Sequence, residues 1–278
     1  MNQYTIGIIG GTGQMGRWFE RFFTDLGHQV LIAGRRTPVT ITDCAKKSHV
    51  VMLSVPIDAA IHLSEEIGPL LHEDQLLMDI CSLKETVLQT MNRSTPAEVI
   101  GTHPLFGPFT NSMKGQNIIL CPGKGTWWMD WLENEFQKKG AIVTAMDPAL
   151  HDKHMAIVQG LTHFITICMG KTFEQLGMKP EDILPSSTPV FRLKLNLVGR
   201  LFAQDLSLYK NLIGNNKYTA EVLETFLSAM MQAKENLFSR QNDGALDFLE
   251  EIRNFIGNFC QNGLQESNDL LNSLSENP

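Results

Sequence analysis

The chain is predicted to be an α/β protein, a Rossmann-type, doubly wound and mostly parallel sheet followed by an all-α domain. Three observations carry that expectation. Short apolar runs alternate with helix-length amphipathic segments up to about residue 145. A glycine-rich turn, Gly11-Thr12-Gly13-Gln14-Met15-Gly16, follows the first apolar run. Beyond Asp147 the strand signals stop and long helical periodicities take over. Alternation of strand and helix implies βαβ units with helices on both sheet faces.

The strand candidates are 4–9, 29–33, 49–55, 76–80, 99–102, 117–121 and 141–144, each a short run rich in Val, Ile and Leu. Helices fit at 14–26, 59–71, 83–92 and 127–139. Ser82 and Glu85 have the S-x-x-E spacing of a capping box at the start of the third of these. Trp127, Trp128 and Trp131 cluster on the fourth and are expected to pack on the sheet. Asp147-Pro148 then reads as an N-cap with proline at the first helical position, opening a helix to Gly177. That is about 30 residues, or about 45 Å. Thr188-Pro189 opens the next helix, Thr219 caps a third and Asp243 a fourth. These helices carry more Phe, Leu, Ile and Met than one small bundle needs inside, which predicts a homodimer formed through the helical domain. The expected domains are 1–146, for dinucleotide binding, and 147–278, for substrate and dimerisation.

With 278 residues, 43% hydrophobic, the chain can bury a substantial core. Its net charge of −7 argues against nucleic acid or an anionic membrane as partner. Five dispersed cysteines, without a CxxC pair, read as small buried residues in a reducing compartment. The N-terminus enters a strand directly, with no signal-like segment, so a cytoplasmic location is expected.

Gly11, Gly13 and Gly16 match GxGxxG in the context that gives the pattern meaning, after a strand and opening a helix. The first glycine permits a tight turn, the second lets a pyrophosphate approach, and the third allows close helix–strand packing. Thr12, Gln14 and Met15 complete the loop, which presents helix N-terminal amides to the phosphates. At the end of the second strand an NAD enzyme usually carries an acidic residue for the ribose 2′-hydroxyl. Here Gly34 is followed by Arg35 and Arg36, whose guanidinium groups suit a 2′-phosphate. NADP is therefore the expected cofactor and NAD the alternative.

The stretch GTHPLFGP (101–108) sets His103 after the fifth strand, at the sheet edge where open α/β proteins bind ligands. A neutral imidazole, with an ordinary pKa of ~6.5, can accept a proton there. Two prolines and two glycines are expected to hold it still. His151 and His154 have a spacing compatible with a metal, but no further ligand completes a set. Gln159 and His163, four apart on the first long helix, are expected to share a face. Leu197, Val198, Leu201 and Phe202 crowd Arg200.

Taken together, GGTGQMG (10–16), DICSLK (79–84), GTHPLFGP (101–108), HDKHMAIVQGLTHF (151–164) and STPVFRLKLNLVGRLFAQD (187–205) resemble the prephenate dehydrogenases of tyrosine biosynthesis. The likeness is strongest to the dehydrogenase part of the bifunctional chorismate mutase–prephenate dehydrogenases. The motifs span both domains, and with no mutase-like segment before Met1 they imply a monofunctional form. The resemblance implies oxidative decarboxylation of prephenate to 4-hydroxyphenylpyruvate. It makes His103 the catalytic base, with Ser82 touching that histidine or the substrate hydroxyl. Arg200 binds a substrate carboxylate, Gln159 and His163 line the substrate pocket, and Lys84 adds positive charge. His151 is expected to stabilise the domain junction, and Arg192 to support Arg200 or form a structural ion pair. Three other readings stay open: an NADP-linked arogenate dehydrogenase, a non-catalytic NADP-binding sensor, and another hydroxyacid or imine reductase with a similar glycine-rich start.

Overall fold

The structure, a computed structural model, describes residues 3–238 and 244–275. The chain divides into two compact units, parted between Met155 and Ala156. Among the described residues no helix is long and apolar enough to cross a membrane.

The first unit runs β1 (Thr5–Ile9), α1 (Gln14–Asp25), β2 (Gln29–Ala33), α2 (Ile41–Lys47), β3 (Val50–Leu53), α3 (Ile57–Ile67), β4 (Leu76–Asp79) and α4 (Glu85–Ser94). It continues through β5 (Glu98–Pro104), β6 (Asn117–Lys124), α5 (Trp127–Lys138), β7 (Ile142–Ala145) and α6 (Pro148–Met155). The strands form one sheet in the order β2-β1-β3-β4-β5-β6-β7. Every pair is parallel except β5 with β6. The expected mostly parallel, doubly wound sheet is thus present, with its reversal of winding between β1 and β3.

Period-two alternation divides the strand side chains between two cores. Val50 and Met52 join Ile6, Ile8, Leu76 and Met78 on the face covered by Trp18, Phe19, Phe22 and Phe23 of α1 and by Trp128, Leu132 and Phe136 of α5. Val51, Leu53 and Leu77 face the other way, against Cys44 and Ala45 of α2, Ala60 of α3 and Val87, Leu88 and Met91 of α4. Such strands, buried on both faces, read as unbroken apolar runs. Trp128 is buried as expected and its indole donates to the Asp74 carbonyl at 3.1 Å, whereas Trp127 is exposed. Helix α2 is absent from the sequence reading, although Thr40 caps it and accepts from the Asp43 amide at 3.0 Å. Of the cysteines, Cys44, Cys81 and Cys121 are buried, but Cys168 is exposed.

The second unit is helical. A π-helical stretch, Ala156–Leu161, leads into α7 (Thr162–Leu176), α8 (Pro180–Ile183), α9 (Pro189–Phe202), α10 (Leu206–Gly214), α11 (Thr219–Phe238), α12 (Ala245–Ile256) and α13 (Phe259–Ser275). The helix expected from Asp147 to Gly177 therefore changes its hydrogen-bond pitch midway, and π turns of this kind often mark functional sites. Asp147 does cap α6, accepting from Ala149 and Leu150 at 2.9 and 3.0 Å. Gly177 ends α7 in the left-handed conformation, at φ 65°. Thr188 caps α9 through the Phe191 amide. Thr219 is the first residue of α11 rather than its cap, and the Asn216 carbonyl receives its amide. Asp243 lies outside the described residues. The buried apolar cluster of this unit consists of Leu201, Tyr209 and Leu212, with Ile167 packed on it. Phe238, Leu246 and Phe255 are exposed, Phe255 by 92%.

The α1 face of the sheet should dominate the stability of the first unit. Phe19→Ala removes a fully buried ring and should cost about 3–5 kcal/mol in urea unfolding. A change below about 1 kcal/mol would show that α1 contributes little to that core.

Candidate active site

Strands β1, β2 and β5 run parallel, so the turn after β1, the turn after β2 and the end of β5 lie along one edge of the sheet. The glycine turn works somewhat differently from its sequence reading. The tight turn is made by Gly10, at φ 84°, where a Cβ would lie 2.2 Å from the Ser54 carbonyl oxygen. Gly11 instead gives room to Ile32, whose Cδ1 would sit 2.5 Å from an added Cβ. A Cβ on Gly16 would stand 2.6 Å from Gly11 Cα, so only glycine lets α1 pack this closely on the turn after β1. Gly13, at the N-cap of α1, would meet only the Gly10 carbonyl, at 3.3 Å, and no side chain caps the helix. The first amides of α1, those of Gln14, Met15 and Gly16, therefore face an approachable cradle, which fits a pyrophosphate.

After β2, Thr37 ties the turn by accepting from the Gly34 amide at 2.8 Å and donating to the Val39 carbonyl at 2.8 Å. This turn presents Arg35 and Arg36, which with Thr12 line an open cleft of about 510 Å³. No carboxylate lies at that strand end, where Gly34 stands.

His103 is 3% exposed. It lies within β5 rather than in a loop after the strand, paired across to Ile119 of β6. A β-ladder thus holds its backbone, and the rigidity ascribed to the flanking prolines is supplied chiefly by hydrogen bonds. Its Nδ1 is 2.9 Å from His151 Nε2, and His151 Nδ1 is 2.7 Å from Asp152 Oδ1. His151 is fully buried and Asp152 nearly so. Asp152 also accepts from the amides of Lys84, at 2.8 Å, and Glu85, at 3.0 Å. The expected Ser82–Glu85 capping box is therefore replaced: α4 begins at Glu85, and a carboxylate from α6 receives its first amides. Ser82 is half-buried in the connection between β4 and α4.

Lys84 is fully buried and ion-pairs with Asp79 at the end of β4. Its ammonium also donates to the Thr102 carbonyl at 2.9 Å. Gly101 makes this possible, since a Cβ there would stand 3.1 Å from Lys84 Cδ. The lysine stem thus passes beneath β5 immediately before His103. Burial, then the neighbouring His151 and Lys84, holds the His103 imidazole well below its ordinary pKa, so it is neutral near pH 7. Burial pushes the nearby Cys121 thiol up to about 12.

In the helical unit, Gln159 belongs to the π turn and His163 to α7, so an ideal α-helical spacing does not relate them. His163 meets Tyr209 edge to face, 4.8 Å between ring centroids, and burial lowers its pKa. Tyr209 is buried, feels the charge of Arg200, and was not singled out from sequence. Arg200, in the last turn of α9, is exposed in the single chain, and so are Leu197 and Phe202, expected to crowd it. Among the described residues no ion pair holds Arg192. His151 points inward and His154 is exposed, which separates the two as metal ligands.

Residues 32–145 match the model of the prephenate dehydrogenase nucleotide-binding domain, and residues 147–253 that of the prephenate dehydrogenase dimerization domain. The chain belongs to the prephenate dehydrogenase family. It is 32% identical, over 98% of its length, to a probable arogenate/prephenate dehydrogenase of Methanocaldococcus jannaschii, and spans 65% of that protein. It is 30% identical over 98% of its length to the T-protein of Haemophilus influenzae, spanning 72% of it. In fold it resembles the Aquifex aeolicus prephenate dehydrogenase crystallised with hydroxyphenyl propionate and NAD+, with a TM-score of 0.74 at 20% identity, covering 91% of this chain and 97% of that one. A Synechocystis arogenate dehydrogenase has a TM-score of 0.72 at 17% identity, over 90% and 97%. The protein is an oxidoreductase of this family and binds NAD(P) on its first unit. The glycine turn lies ahead of the matched span, so its assignment rests on the geometry above.

Lys84→Met would leave the Asp79 carboxylate buried without its cation, and should cost about 3–5 kcal/mol in chemical denaturation. Adding Asp79→Leu in that background should recover much of the loss. Equal stability of the single variant and the parent would contradict the buried pair.

Proposed function

We propose that this chain catalyses the NADP-linked oxidative decarboxylation of prephenate to 4-hydroxyphenylpyruvate, a step towards tyrosine, as a homodimer. The observation that carries the reading is the enclosed, neutral His103 at the sheet edge shared with the glycine turn and the Arg35–Arg36 turn. Family membership sets the reaction class. Prephenate is a cyclohexadienol with a ring carboxylate at C1 and a hydroxyl at C4. Hydride leaves C4, the hydroxyl gives up its proton, CO₂ leaves C1, aromatisation drives the step, and the phenolate oxygen so formed takes a proton back to give 4-hydroxyphenylpyruvate. When bound, the nicotinamide supplies the hydride acceptor.

In this reading His103 accepts the hydroxyl proton and Ser82 orients the hydroxyl or the histidine. Arg200 holds a carboxylate through a forked, charge-assisted pair. Gln159 and His163 line the substrate pocket. Lys84 supports β5 from below, through Asp79 and Thr102, rather than touching substrate. Gly11, Thr12, Gly13, Gln14, Met15 and Gly16 receive the pyrophosphate, and Arg35 and Arg36 the 2′-phosphate. The exposed apolar helix faces support a dimer through the second unit, in keeping with the dimerization domain that this unit matches.

Arogenate, which carries an amino acid in place of the pyruvyl group, is the second reading. The two arginines favour it to the extent that such enzymes use NADP, and the M. jannaschii relative is named for both substrates. Crossing prephenate and arogenate with NAD and NADP in a spectrophotometric assay decides among these. Prephenate with NADP should give the highest kcat/KM, and no reduced cofactor from either substrate would refute the enzyme. Replacing Arg35 and Arg36 with serine should raise the KM for NADP much more than that for NAD. His103→Asn should lower kcat by about 10²–10⁴ with little change in cofactor affinity. Near-normal turnover in that variant would remove His103 from the chemistry.

A further inference from the structure

We propose that the proton taken up by His103 is relayed: it enters at Nε2, the Nδ1 proton passes to His151 Nε2, and the positive charge comes to rest on the imidazole paired with Asp152. This deepens the reading of His103 as base and rests on it. His103 touches the substrate hydroxyl, while His151 and Asp152 act through it as relay and positioning residues.

The hydrogen-bond chain dictates the tautomers. The Asp152 carboxylate receives the Lys84 and Glu85 amides at the start of α4, a place that favours the ionised form. An ionised carboxylate only accepts, so the atom facing it, His151 Nδ1, carries a hydrogen. In a neutral His151, Nε2 is then a bare acceptor. One hydrogen fits in the 2.9 Å between it and His103 Nδ1, and it belongs to His103. The lone pair of His103 is thereby assigned to Nε2, the atom a base must offer.

Uptake of a proton at Nε2 makes His103 an imidazolium whose Nδ1–H already points at His151 Nε2. Moving that hydrogen across gives neutral His103, now protonated on Nε2, and a cationic His151 against the Asp152 carboxylate. One proton enters, one crosses, and no other bond changes; the reverse transfer then returns a proton from His103 Nε2 to the phenolate oxygen after CO₂ has left. The direction follows from the surroundings. His103 is enclosed beside the Lys84 ammonium, and burial alone disfavours its cation. His151 is equally buried but has a carboxylate at 2.7 Å. Among the described residues, titratable groups near the pair include Asp79, held by Lys84, Glu85, whose amide binds Asp152, Asp147 at the start of α6, and the Cys121 thiol of β6, which stays protonated.

The test is ¹⁵N NMR of the full-length protein labelled at histidine nitrogens and saturated with NADP, with His103→Asn and His151→Phe providing assignments. At neutral pH His103 should show a protonated Nδ1 and a bare Nε2. On acidification His151 should become doubly protonated while the single His103 hydrogen switches to Nε2. A neutral-pH hydrogen on His103 Nε2 beside a neutral His151, or acidification that makes His103 itself the imidazolium, would overturn the relay. These signals need no turnover, so they remain informative even if the substrate assignment fails. In kinetics, His151→Phe should lower kcat at least about a hundredfold while leaving NADP affinity intact. An unchanged kcat in that variant would also overturn the relay.

Discussion

The site depends on one buried carboxylate. Asp152 accepts three N–H groups, two from the backbone at the start of α4 and one from His151. A charge out of water is tolerated only with such complete hydrogen bonding, and the same low dielectric makes each of its bonds count. Asp152 therefore does two things at once. It starts α4 at the right place against the sheet, and through His151 it orients the imidazole at the end of β5. A second charge pair, Lys84 with Asp79, fastens the end of β4 to the carbonyl beside His103. Helix start, strand end and imidazole thus form one polar unit at the end of the sheet.

The sheet topology sets what this unit faces. Because β1 to β5 are parallel, their C-terminal ends share an edge with the glycine turn and the arginine turn. His103, the glycine turn and the guanidinium pair are consequently carried by one compact unit, which suits the proposed reaction, in which a hydride acceptor must meet a proton acceptor. The π turn and the helical unit carry Gln159, His163 and Arg200 on elements with far less buried apolar surface.

Much of this was legible in the residues and some was not, for definite reasons. The central strands could be read because strands buried on both faces are short unbroken apolar runs, as in Val50–Leu53, while the exposed edge strand β7 was legible from its β-branched Ile142, Val143 and Thr144. Helix starts with a local cap, at Asp147 and Thr188, were equally readable. The caps of α4 and α5 were not, because their first amides bind carboxylates distant in sequence, Asp152 and Glu98: sequence alone sets α4 two residues early, at 83, and finds the start of α5 at Trp127 from periodicity alone. For the same reason Ser82–Glu85 mimicked a capping box that the structure does not use. Asp79 and Asp152 escaped notice as site residues, since a lone aspartate reads as solvated surface. The signal available was their position within DICSLK and beside His151. Tyr209 had no such flanking motif. The π turn also left no trace, since the apolar spacing on either side of it reads as one continuous helix.

The central claim is that His103, oriented through His151, is the group that meets the substrate hydroxyl. A crystal structure of the protein with NADP+ and hydroxyphenyl propionate, the ligand held by the A. aeolicus neighbour, tests it directly. The account predicts His103 Nε2 within about 2.6–3.2 Å of the phenolic oxygen, with the Nδ1–His151 contact retained. A ring bound with its hydroxyl on another side chain, or a His103 turned away from His151 to reach it, would contradict the account.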